Sequence, residues 1–133
     1  MVGEFQFNPE AVTPEPPSFY AKRNCWYGAS SASPREIRDR QVIGVERILW
    51  GSDYPHYEGT YPHTRQALRH TFHDIDTGEV RAMLGENAAR LYHFDLAKLA
   101  PLAAEYGPTV DEIRVPLAEH EFPQNAHTNA FRR

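Results

Sequence analysis

The sequence predicts an α/β fold, and three observations carry that prediction. Two strand-like runs, Arg23 to Ala29 and Val45 to Trp50, are separated by a helical segment with a strong start signal at Ser33-Pro34-Arg35-Glu36. Strands joined through a helix pair in parallel by a crossover. The length of 133 residues leaves room for one ordinary domain and no second independent core. Two parallel strands alone are a poor unit, because a parallel sheet is covered on both faces.

Residues 1–18 hold four prolines within ten positions (Pro9, Pro14, Pro16, Pro17), so this Pro-rich segment reads as extended chain or linker. Phe19 to Arg23 has the composition of one helical turn. Arg23 to Ala29 is aromatic, ends at Gly28-Ala29 and reads as a short buried strand. In the next helix Ser33 is the expected N-cap, Pro34 the first helical residue and Glu36 the closing member of a capping box. That helix is expected to stop at Gly44, which tolerates a left-handed backbone. Val45 to Trp50 ends in continuously apolar Ile48-Leu49-Trp50, the pattern of a strand buried on both faces.

Gly51-Ser52-Asp53-Tyr54-Pro55 breaks that strand. A second helix is expected from Thr60, with Pro62 in its first turn. Asp76-Thr77-Gly78-Glu79 has the form of another capping box and opens a third helix, interrupted at Gly85. Short helices are expected over Asn87 to Tyr92 and Leu96 to Tyr106, and residues 108–133 read as an extended tail. The organisation is therefore a segment 1–18, a folded region 19–107 and a tail 108–133.

Charge and composition exclude several functions. Lys plus Arg is 14 against 18 Asp plus Glu, and the arginines are scattered, so no basic patch for nucleic acid or anionic membrane exists. No apolar run is long enough to span a bilayer, and no secretory signal pattern opens the chain. The single Cys25 forms no internal disulfide, so the expected compartment is the reducing cytoplasm. Within its predicted strand Cys25 is expected to be a buried, inert thiol. Trp26, Tyr27, Trp50 and Tyr54 read as packing surface rather than a base-stacking platform.

The chemistry concentrates in Ile48-Leu49-Trp50-Gly51-Ser52-Asp53-Tyr54-Pro55-His56. Sites in parallel sheets form at the C-terminal ends of the strands, and Asp53 lies just past such an end. Its own residues leave two roles open. Asp53 is either a turn-forming residue ahead of Pro55 or a hard-oxygen ligand and base with His56 as its companion. His63, His70 and His73 fall on the second helix. Solvated histidines near a helix C-terminus are the expected reading there, with an adventitious metal pair as the alternative.

The segments RILWGSDYPHYEGTYPHTRQAL and VRAMLGENAARLYHFD resemble the C-terminal part of amidohydrolase-related proteins, the metal-dependent hydrolase and decarboxylase branch of the amidohydrolase superfamily. RNCWYGAS resembles their seventh strand, Gly51-Ser52-Asp53-Tyr54-Pro55-His56 the end of their eighth, and Gly85-Glu86-Asn87 onward their closing helix. The resemblance covers about residues 19 to 107. It implies the C-terminal portion of a TIM (β/α)8 barrel, with two parallel strands, helices and irregular termini. It further implies a divalent metal, zinc first, held in part by Asp53, which would also take the proton of the attacking water. His56 would stand beside the metal or the substrate. The substrate would be a small molecule, hydrolysed at a C–N or C–O bond or decarboxylated. Trp50, Tyr54 and Asn87 match the pattern as packing or capping residues.

The family pattern also needs a His-x-His and two further histidines on earlier strands. No His-x-His occurs here, so Asp53 is the one matching ligand, and the expectation is a C-terminal fragment that is not catalytic alone. A second function class is open: a non-catalytic module that associates with itself or with a partner chain completing a barrel.

Overall fold

Tyr27–Ser30 (β1) and Ile48–Gly51 (β2) pair in parallel in the computed structural model, with Tyr27 opposite Ile48 and Ser30 opposite Gly51; residues 14–131 are described. The α/β prediction therefore holds at the level of a two-stranded parallel sheet with helices. Both strands are shorter than expected. Pro17–Asn24 (α1) takes the residues before β1: Pro17 is preorganised for a first helical position, and the helix runs on into Arg23 and Asn24. Val45–Arg47 forms a 3-10 turn rather than the start of β2, because Gly44 bends the chain at φ +101°.

The expected burial of the first strand is corrected. β1 is largely exposed, with Trp26 and Tyr27 both about 40% accessible. Cys25 is exposed at the end of α1 and is not a core thiol. Tyr54 also lies in solvent instead of packing. Arg47 sits over the Trp26 ring at 4.6 Å, a cation–π contact that partly covers the indole.

Pro34–Arg38 (α2) starts as its sequence dictates. Ser33 accepts from the Glu36 N–H, and the Glu36 carboxylate accepts from the Ser33 N–H at 2.8 Å. Arg40–Ile43 (α3) continues after a break at Asp39. Thr64–Phe72 (α4) begins one turn later than expected, with Pro62 outside it. Asp76 caps Thr77–Arg81 (α5) by accepting from the Gly78 and Glu79 N–H groups. The capping box does not close, because Glu79 turns away to Arg40, at 2.6 Å, and to Gln41. Two residues from another helix outcompete the local backbone donor. Gly85 does not end the helix. A π-turn over Ala82–Glu86 carries it into Asn87–Tyr92 (α6), which stops at His93 in a left-handed conformation.

The core lies against the sheet. Ile48, Ile37, Leu68, Phe72, Val80 and Met83 form one buried cluster, with Phe72 wholly inaccessible. Thr71 donates to the Ala32 carbonyl at 3.0 Å and ties α4 to the loop after β1. Asn87, also buried, donates from Nδ2 to the carbonyls of Val45 (2.8 Å) and Ile48 (2.9 Å). These are the acceptors at the start of β2 that a longer strand would have used, so the amide closes their account in place of a third strand.

The segment after residue 107 is not extended. Val110–Ile113 (α8) is helical, Ile113 joins the core cluster, and two 3-10 turns follow over Glu119–Glu121 and Asn129–Phe131. Two arginines one turn apart on α4 hold it. Arg65 bonds Glu112 and the Tyr106 carbonyl. Arg69 makes a bidentate pair with Glu121 (2.6 and 2.9 Å) and donates to the Val115 and Pro116 carbonyls. Leu96–Tyr106 (α7) has the bounds its sequence predicts and buries none of its residues. Among the described residues no helix is long and apolar enough to cross a membrane.

Two outcomes are expected. Asn87→Ala strands two buried carbonyls and should cost about 2–3 kcal/mol, read as a lower denaturant midpoint at unchanged slope. The Arg69 guanidinium, helped by the Ala118 N–H, holds the Glu121 carboxyl down at about 2 from an ordinary 4.5. A depressed carboxyl stabilises fully above its ordinary value and loses that contribution as pH falls toward its folded value. The protection of residues 115–131 against hydrogen exchange, relative to their intrinsic rates, should therefore fall between pH 4.5 and about 2, and Glu121→Gln should remove that acid-dependent component.

A candidate active-site loop at the end of the second strand

The loop between β2 and α4 is organised by its backbone. The Ser31 N–H donates to the Gly51 carbonyl at 3.1 Å, so the parallel ladder extends one step past the end of β1. Ser52 then offers its carbonyl to the Thr60 N–H at 2.9 Å and to the Thr60 hydroxyl at 3.4 Å. Thr60 is buried, and its hydroxyl also meets that of Thr64 at 3.0 Å, which joins the loop to α4. Within this ring the His56 N–H donates to the Asp53 carbonyl and the Gly59 N–H to the His56 carbonyl. A β-carbon on Gly59 would meet the carbonyl oxygens of Ser52, Asp53 and His56 at 2.8 to 2.9 Å, so no larger residue fits.

Asp53 occupies a left-handed backbone conformation at φ +59°, one that Asp and Asn adopt more readily than other non-glycine residues. The turn role is the one its backbone shows. The main chain of Asp53 makes a turn, while its carboxylate stays exposed beyond the end of β2. The structure brings together the two residues picked from the sequence: His56 Nδ1 lies 3.5 Å from Asp53 Oδ2. The same nitrogen lies 3.4 Å from the Glu58 N–H. Unprotonated, Nδ1 accepts from Glu58; protonated, it has no lone pair left and pairs with Asp53. The pair is open to solvent.

Aromatic side chains surround it. Tyr54, Tyr57 and Tyr61 are each about 70% exposed, and Tyr54 and Tyr61 meet edge to face at 5.4 Å. The peptide bonds Tyr54–Pro55 and Tyr61–Pro62 are cis. The Tyr57 hydroxyl lies 3.0 Å from His127 Nδ1, with the rings 4.7 Å apart. Sequence reasoning missed Gly59, Thr60, Tyr57 and His127. Gly59-Thr60 is a loop-ending signal that was available. The His127 contact spans 70 positions and leaves no local trace.

The other candidates do not converge here. His70 packs against the rings of Phe122 (4.9 Å) and Phe131 (6.2 Å) and is not a solvated histidine. His73 Nδ1 meets the Arg69 carbonyl at 3.1 Å. Among the described residues no group of three His, Cys, Asp or Glu side chains is placed to hold a metal ion.

The sequence model of the amidohydrolase family matches residues 11–94, a span that includes β1, β2, the Asp53 loop and α4 to α6. No curated protein and no solved structure gives a match. The family match takes in well over half of the chain, and the chain belongs to the amidohydrolase family.

Proposed function

We propose that the chain is the C-terminal part of an amidohydrolase-type (β/α)8 barrel and that Asp53 is the carboxylate it contributes to the reaction centre. One observation carries this reading. Asp53 stands just past the end of a parallel strand, on a loop closed by hydrogen bonds from the His56, Gly59 and Thr60 N–H groups, with its carboxylate directed to solvent beside His56. That end of a barrel is where catalytic residues collect. The reaction class is hydrolysis of a C–N or C–O bond, or decarboxylation of an unsaturated acid, in a small molecule.

Amidohydrolases generally use divalent metals, zinc among them. The described residues do not by themselves fit one. A catalytic zinc takes three protein ligands, and here one carboxylate and one imidazole stand together. The chain's own residues perform proton handling. Asp53 accepts a proton as a base, and His56 stands beside it with Nδ1 3.5 Å from the carboxylate. Tyr54 and Tyr61 offer an aromatic wall to an unsaturated substrate. A second reading, association with another chain, is favoured by a separate observation: α7 buries none of its residues.

Zinc titration followed by NMR tests the proposal. Resonances of Asp53 and His56 should shift first, with micromolar or weaker affinity, far from the tight binding of a four-ligand site. Asp53→Asn keeps a residue that tolerates the left-handed backbone and should abolish the shift at His56. Shifts confined to His70, His73 or His120 would sink the assignment. In a parallel assay the zinc-loaded chain should leave lactones, amides and aryl carboxylates unchanged. Turnover that disappears in Asp53→Asn would show that the chain completes its own site.

A further inference from the structure

Nine of the eleven residues of α7 are apolar (Leu96, Ala97, Leu99, Ala100, Pro101, Leu102, Ala103, Ala104 and Tyr106), yet none is buried. A helix of this composition belongs in a core, and one this short draws its stability mainly from packing. Leu96, Leu99, Leu102 and Tyr106 are 52%, 42%, 54% and 69% exposed. At 100° per residue they share one face, with Lys98 and Glu105 at its border. The four present roughly 450 Å² of apolar surface, at the scale of patches that mark interaction sites.

A groove runs along the edge of that face. It has a volume of about 320 Å³ and is walled by Phe72, Val80, Leu84, Leu96, Ala103 and Ile113. That is about twice the ~150 Å³ apolar cavity that accepts a benzene-sized guest. The molecule thus carries an apolar ridge (Leu99, Leu102, Tyr106) next to an apolar groove. An interface with two-fold symmetry needs this combination, since each copy must offer both the knob and the hole.

The charges at the border agree. Arg114 lies on the groove wall and Glu105 beside the ridge. Neither has an ion-pair partner within the chain among the described residues, whereas the neighbouring Arg81 is bound to Glu86 at 2.9 Å. The two free charges are opposite in sign, which is the complementarity that a two-fold contact between copies requires. The ridge face alone supplies roughly half of the ~800 Å² per partner of a standard interface.

We infer that α7 is the contact surface of a homodimer, its Leu99–Leu102–Tyr106 ridge seated in the groove between α7 and α5 of a second copy. The inference deepens the association reading and is independent of Asp53.

Light scattering on the full chain across a concentration series tests it. The wild type should move from monomer to dimer with rising concentration. Leu99→Glu with Leu102→Glu should weaken dimerisation by about tenfold or more. Val42→Glu, at an exposed apolar position on another helix, should leave it unchanged. Arg114→Glu and Glu105→Arg should each weaken the dimer, and the exchanged pair should restore it. A dimer that survives the double leucine variant overturns the α7 assignment while association itself stands. A monomer at all concentrations overturns both.

Discussion

One amide holds the register of the molecule. Asn87 donates both of its Nδ2 protons to main-chain carbonyls, one on the first residue of a 3-10 turn, Val45, and one on the residue that follows the turn, Ile48. This fixes where β2 begins. Pairing with β1 then fixes where it ends, since Ser30 stands opposite Gly51. Everything chemical about the chain is measured from that point: Ser52 turns, Asp53 adopts its left-handed backbone, and the loop closes on Thr60. A shift of β2 by one residue would carry Asp53 to the other face of the sheet. The closing helix positions the candidate site although it contributes no side chain to it.

Where the sequence was legible, short-range chemistry decided the outcome. The Ser33 capping box and the bounds of α7 followed from neighbours a few residues apart, and the parallel pairing from a helix lying between two strands. Long-range partners account for most departures. Glu79 left its own N-terminus for Arg40 and Gln41, and Val45 left a strand for a turn whose carbonyl Asn87 takes. The polar composition of residues 108–131 concealed a packed segment, because what orders it is a pair of arginines on α4, more than forty positions earlier. Of the candidate site, Asp53 and His56 were legible from their place after an apolar run, while Tyr57 and His127 were not.

The loop separates rigidity from reactivity. Its main chain is hydrogen-bonded around Gly59 so tightly that a methyl group does not fit, yet the Asp53, His56 and tyrosine side chains all face solvent. A fixed backbone aims a carboxylate without burying it, so its reach is set by the chain and its charge is left to whatever approaches. Preorganisation of this kind lowers the entropic cost of engaging a substrate or an ion.

The two arginines of α4 also imply an order of events at the ribosome. Sheet, α2 and α4 emerge first, and Phe72, His70 and the groove behind them stay uncovered until residues 110 to 131 follow. Domains fold as their chains are made, at roughly 5–20 residues per second, so that face is open to water for a second or more. In that interval Arg65 and Arg69 act as electrostatic hooks in advance of the acidic segment carrying Glu112 and Glu121. Quality control of this chain would thus be exercised on a transient species whose adhesive side is already flagged with positive charge.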